Sequence, residues 1–247
     1  MNSERATFWD HLDELRSVII RSLIAVAIAA TVAFCLKDWM FSVVLAPRSS
    51  DFVSYRLLGI DEGFRLSLMN TGLTEQFMTH MRVSLYAGLL MASPYVLYQL
   101  FGFIAPGLYR NERKAATWVA VSAYLMFILG TLVNSLLIFP LTVRFLGTYQ
   151  VSTEVMNMLT LQSYIDTLIG MSFVMGVVFE LPVVCAILGK MGLIDGRLMA
   201  QYRRQAIIAI LIVSAIITPT TDAFTLIVVA LPIWLLYEVS IFIVKLN

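Results

Sequence analysis

The chain has 247 residues, 60% of them hydrophobic and only 13% charged, with a formal net charge of +1 and a mean hydropathy of +0.85. A soluble domain carries about 25% charged residues, so this composition places the chain in a membrane and excludes a soluble globular enzyme or binding module. No basic run or face stands out, so nucleic acid is not an expected partner.

Phe8, Leu12 and Leu15 recur at helical spacing, with Thr7 placed to cap and Asp10 three residues on. They predict a short amphipathic helix in residues 1–16 that lies at the membrane surface, with His11, Asp13, Glu14 and Arg16 on its polar side. This polar, acidic start lacks a prompt small-residue cleavage site and does not read as a cleavable signal. The apolar run 17–36 can span a hydrocarbon core of about 30 Å, with Arg21 snorkelling back to the headgroups.

Residues 37–81 are polar, with Pro47, charges of both signs and several aromatics. The segment is too long for a tight connection, and it is expected to carry short helices packed on the membrane rim. A second span, 83–104, is expected to be interrupted at Pro94. From Phe103 to Lys114 runs a hinge in which Pro106 and Gly107 are expected to stop the helix. Arg110, Arg113 and Lys114 mark one side of the membrane there, with Glu112 the single acid among them.

The third span, 115–139, is expected to end at Pro140, and the fourth, 164–188, contains Glu180 and Pro182. The fifth, 204–219, has only a dozen continuous apolar residues, Ala206 to Ile217. At about 1.5 Å per residue these cannot cross a bilayer unaided, so flanking residues must extend the helix or the bilayer must thin. The sixth, 223–244, holds Pro232 and Glu238.

Lysines and arginines in the short loops set the orientation. Arg5, Arg16 and Arg21, then Arg110, Arg113 and Lys114, then Lys190, Arg197, Arg203 and Arg204 share one side. Opposite them stands Arg144, with none in the Pro219–Asp222 turn. The prediction is six spans with both termini cytoplasmic. Cys35 and Cys185 then fall near opposite faces, so no disulfide between them is expected.

An ionised carboxylate near a helix centre costs about 2.5–3.5 kcal/mol on insertion scales, so Glu180 must face protein or water. It is either a functional site or one half of a helix–helix hydrogen bond. Glu238 invites the same argument more weakly. Glu112 is either a site or a surface acid balancing its basic neighbours. Asp166 and Asp222 are expected to be solvated. Enzyme motifs are missing: there is no His-Glu-x-x-His, no Gly-x-Ser-x-Gly and no phosphate-cradling glycine loop. With His11 and His80 assigned to opposite sides, neither a metal site nor any cofactor is expected, and the chain does not read as an enzyme. An ion-coupled secondary transporter and a structural scaffold remain as other classes, although no internal repeat supports the former.

Several stretches, taken together, resemble one family: His11-Leu-Asp-Glu-Leu-Arg16, Ser93-Pro-Tyr-Val-Leu-Tyr-Gln99, Phe103-Ile-Ala-Pro-Gly-Leu-Tyr109 with Glu112 and Arg113, Phe139-Pro140, Phe179-Glu-Leu-Pro182, and Leu231-Pro232 with Tyr237-Glu238. In this order and spacing they are similar to TatC, the multi-spanning receptor subunit of the twin-arginine protein translocase.

The resemblance implies an all-α, glove-shaped fold of six transmembrane helices, the fifth and sixth short, in the bacterial cytoplasmic membrane. It implies that Glu14, Arg16 and Glu112 bind twin-arginine signal peptides and that Glu180 projects into a concave membrane face. Pro47, Phe77, Pro94, Phe103, Pro106 and Glu238 take structural or assembly roles on the same basis. The implied partners are TatA/TatB-type single-span subunits, folded cargo proteins with their signal peptides, and other copies of the chain, with transport driven by the protonmotive force. Val18 stands where the family often has a second arginine, and the 48–73 stretch is longer than usual.

Overall fold

A computed structural model describes residues 8–59, 63–108, 113–149, 152, 158–218 and 222–246. Nearly everything in it is helical, as a chain must be when its backbone polar groups have to be satisfied without water. The helices are α1 (Phe8–Cys35), α2 (Lys37–Val44), α3 (Val53–Leu57), α4 (Glu75–Leu108), α5 (Arg113–Val133), α6 (Phe139–Thr148), α7 (Leu161–Val178), α8 (Leu181–Lys190), α9 (Gly196–Gln201), α10 (Arg203–Ile217) and α11 (Ala223–Leu246). A 3-10 turn, Ala46–Arg48, follows α2, and a π-helical turn, Asn134–Ile138, joins α5 to α6. Two short strands, β1 (Leu68–Met69) and β2 (Leu159–Thr160), pair in parallel.

Five stretches among the described residues are long and apolar enough to cross a membrane: Leu12–Cys35, Glu75–Phe103, Val119–Thr148, Leu161–Lys190 and Ala223–Lys245. Helix α10 has fifteen residues, which span only about 22 Å at the α-helical rise. The shortness expected of the fifth apolar run is therefore real.

The amino-terminal segment and the first apolar run form one helix, rather than an interfacial helix followed by a span. Between Phe8 and Cys35 there is no glycine or proline to break the 28-residue run, so propagation continues once begun. Thr7 lies outside the described residues.

The expected breaks at proline also differ. Helix α4 passes through Pro94 without interruption and closes at Leu108, one residue past the Pro106–Gly107 pair expected to stop it. A proline removes the donor for the carbonyl four residues earlier; for Pro94 that carbonyl belongs to Leu90, and the Ser93 hydroxyl donates to it at 2.7 Å. Pro106 falls in the last turn, where little helix remains to disrupt. At Pro140 the third span likewise runs on, through the π-helical turn into α6. The carbonyl freed by Pro140 is that of Leu136, and it accepts a hydrogen bond from the hydroxyl of Ser54, on α3. Pro182 does coincide with a bend: α7 ends at Val178 and α8 starts at Leu181, with Glu180 between them.

The chain divides into two compact units, residues 1–37 with 84–125, and residues 38–83 with 126–247. The first packs on small residues, as membrane helices do when close approach replaces the hydrophobic drive. Gly88 of α4 lies so close to Ala30 of α1 that no Cβ could be added, and the buried side chains of this unit include Ala33, Ala92, Ala120 and Ala123.

The second unit has a larger core. Gly130 of α5 sits against the Met175 carbonyl and the Phe179 side chain, while Gly176 of α7 sits under the Phe127 ring. The buried side chains of this unit include Ile138, Phe139, Ile165, Met171, Met175, Val229 and Ile233. Helix α11 packs along α8, α9 and α10, with Met199, Ile241 and Val244 clustered at one end.

Candidate functional site

The residues singled out in the sequence fall into two groups, one in each unit. In the first unit, Glu14 and Arg16 are both exposed on α1. Two positions apart on a helix they point in nearly opposite directions, about 200° round the axis, so they present separate charged faces. Pro94 is exposed on α4, and Phe103 lies partly buried near the end of that helix. Glu112, with Arg110 beside it, lies outside the described residues.

In the second unit, Glu180 occupies the bend between α7 and α8. Its N–H donates to the Val177 carbonyl at 3.1 Å and its own carbonyl accepts from Val184 at 2.9 Å, so its backbone is satisfied. The carboxylate is not. Both oxygens are buried without a hydrogen-bond partner among the described residues. A helix–helix hydrogen bond therefore does not account for this acid. Its placement follows from the sequence: Pro182 fits the first turn of α8, where its missing N–H costs nothing, and that fixes the break beside it.

Glu238 behaves differently. Its carboxylate accepts from the Arg203 guanidinium at 2.7 Å, joining α11 to the first turn of α10. Next to it the Tyr237 hydroxyl donates to the Met199 carbonyl at 2.8 Å. These contacts tie α11 to α9 and α10.

At the other end, the long loop is fastened by three anchors that periodicity did not reveal. Pro47 is buried, and its carbonyl and that of Pro140 lie 2.9 and 2.8 Å from the Tyr55 hydroxyl, which shares its single proton between them. Tyr164 donates to the Val44 carbonyl at 3.0 Å. Glu75, in the first turn of α4, accepts from the N–H groups of Thr71 and Gly72 at 2.7 and 2.9 Å through one oxygen, and from Gln162 N–H at 2.9 Å through the other. It thereby satisfies one of the unpaired donors at the start of α7 and holds that helix to the loop beside the β1–β2 pair. An acid in a first turn was the available signal.

Asp166 is exposed, as expected, and is also ion-paired: Arg82 donates to both of its oxygens, 2.6 Å to Oδ2. Asp222 accepts from Thr225 N–H at 2.7 Å and caps α11. An exposed ion pair such as Arg82–Asp166 adds only about 0–1 kcal/mol, whereas the cap satisfies an open donor at a helix end. Phe77 projects from the third residue of α4 and is more than half exposed. Among the described residues no three His, Cys, Asp or Glu side chains converge as a metal would require.

A family described as Sec-independent protein translocase protein (TatC) matches residues 10–232. The chain belongs to the TatC family. Curated TatC relatives include that of Carboxydothermus hydrogenoformans, 32% identical over 99% of this chain and 95% of the relative. The Aquifex aeolicus protein is 32% identical over 96% of this chain and 94% of its own. Among solved structures, the crystal structure of the twin-arginine translocase receptor TatC superposes with a TM-score of 0.78 at 32% identity, covering 96% of this chain and 98% of that one. Among the described residues of this TatC-family chain, Glu180 is the buried carboxylate left unpaired, whereas Glu75, Asp166 and Glu238 are each engaged by the fold.

Proposed function

We propose that this chain is the receptor subunit of a twin-arginine, Sec-independent protein translocase in a bacterial cytoplasmic membrane. It binds the signal peptides of folded cargo and works with TatA/TatB-type single-span subunits and other copies of itself, using the protonmotive force. The observation that carries this reading is the likeness to the solved twin-arginine translocase receptor over 96% of the chain at 32% identity. Both termini are cytoplasmic in this reading, following the arginine and lysine count.

Recognition rests on Glu112 and Glu14, with Arg16 contributing from the other face of α1. Two adjacent arginines present planar forks of donors, and carboxylates match them bidentately. Glu14 is exposed on α1, as a peptide-binding acid must be. Glu180 has a second role, contacting the apolar part of the signal peptide or a partner helix within the membrane.

The test is the affinity of the purified protein for a signal peptide carrying Arg-Arg or Lys-Lys. A hydrogen bond to a charged group is worth about 1.5–3 kcal/mol, so loss of one such contact should weaken binding roughly ten- to a hundredfold. Lys-Lys keeps the charge and loses the fork, and Glu112→Lys adds repulsion to the lost contact. Both should bind less tightly than the native pair. Equal affinity for the two peptides, or wild-type binding by Glu112→Lys, would remove these carboxylates from recognition.

A further inference from the structure

The long segment between the first two apolar runs, expected to carry short helices packed on the membrane rim, holds two, α2 and α3, and α3 turns its polar side inward. In α3 the inward residues are Ser54 and Tyr55, 7% and 0% exposed. Ser54 donates to the Leu136 carbonyl and Tyr55 lies between the carbonyls of Pro47 and Pro140. The outward residues are Val53 and Leu57, one turn apart, 61% and 82% exposed, with Leu58 following. Helix α2 differs in what it buries, turning Met40 inward; the carbonyl of its last residue, Val44, is held by Tyr164, while Trp39 and Val43, again one turn apart, are exposed alongside Lys37, Asp38 and Ser42.

The depth of this strap follows from what it is tied to. Leu136 lies inside the third apolar run by either measure, the 115–139 of the sequence or the Val119–Thr148 of the structure. On the same stretch Leu132, Leu136 and Leu137 are exposed, which in a spanning helix is the surface that meets lipid. The carbonyl that Ser54 covers is the one that Pro140 deprives of its helical donor, and in hydrocarbon such a group needs a replacement partner. A helix fastened there has its free side at membrane level. Arg56, its side chain largely exposed and 3.8 Å from Asp51, has the length to reach headgroups from that position. Trp39 suits the same boundary, where indole rings concentrate.

We propose that α2 and α3 lie in the membrane interface, with Trp39, Val43, Val53, Leu57 and Leu58 inserted among the acyl chains of the leaflet on that side. The occupant of this apolar face is phospholipid, and no partner protein is required. This assignment does not depend on the translocase reading.

The experiment uses the full chain, alone, in phospholipid nanodiscs, with Cys35→Ala and Cys185→Ala removing the native thiols. Single cysteines at Leu57 and Val43 carry a nitroxide, and Asp51→Cys serves as the polar reference. Power saturation compares collisions with oxygen, which concentrates in lipid, and with a water-soluble nickel chelate. Labels at 57 and 43 should lose most of the nickel relaxation seen at 51 and gain oxygen relaxation. Nickel access at 57 equal to that at 51 would put the strap in water and overturn the proposal. Protection of 57 from both reagents would also overturn it, since a protein contact would then cover the face. Leu57 is exposed, so its replacement leaves the packing intact, and Val43 gives an independent reading should one label disturb its site.

Discussion

At the scale of single residues, the polar groups of this chain divide by whether the fold answers them. Ser93 replaces the donor that Pro94 removes, Ser54 does so for Pro140, and Arg82 and Arg203 neutralise Asp166 and Glu238. Glu180 is left without such an answer. A buried polar group with no partner costs about 1–3 kcal/mol of stability, so retaining one is a feature to be explained by function. Glu180→Leu should accordingly leave thermal stability in detergent unchanged or raised, while export of a twin-arginine reporter falls. Export at wild-type levels would strip Glu180 of its functional role, and disappearance of the variant from the membrane would show that it supports the fold. By contrast, sequence reasoning could find Glu180 because an acid in an apolar run is conspicuous. It could not find the partners of Asp166 and Glu238, since Arg82 and Arg203 stand 84 and 35 residues away from them.

At the scale of elements, the crossing of α5 and α7 is a close backbone-to-backbone contact of the larger unit. A Cβ on Gly130 would meet the Met175 carbonyl at 2.6 Å and Phe179 at 2.8 Å. Because the first of these is backbone, the neighbour cannot rotate away. Gly130→Val should cost about 1–3 kcal/mol or more through overpacking, measured as a lower unfolding midpoint in detergent or reduced accumulation in the membrane; a wild-type midpoint would mean the crossing is looser than described. Gly170 on the same helix α7 has open space around it, so Gly170→Val is the control and should be far milder. The apolar runs and the short α10 were legible because they depend on local composition and length. Continuity through Pro94 and Pro140 was not. Whether proline breaks a helix depends on whether another hydroxyl reaches the freed carbonyl, and for Pro140 that hydroxyl comes from α3, more than eighty residues earlier. The fusion of the amino-terminal segment with the first span was missed for a related reason: charge at Asp13, Glu14 and Arg16 signals an interface without stopping a helix.

For the whole molecule, the arginine and lysine count gives a sidedness that labelling can check. Cysteines introduced at 110 and 200 should react with an impermeant reagent from one side of the membrane, and those at 60, 150 and 221 from the other. Labelling of 60 and 200 from the same side would require a different number of crossings. Helix α10 has a further consequence for the host membrane. At about 22 Å it falls short of an average core of about 30 Å, and each ångström of mismatch carries a modest energetic penalty. The chain should therefore be tuned to acyl-chain length. Reconstituted in a series of phosphatidylcholines from short to long tails, thermal stability and signal-peptide affinity should fall together as the tails lengthen. A flat response across the series would mean that the loop following α10, rather than the lipid, makes up the missing length.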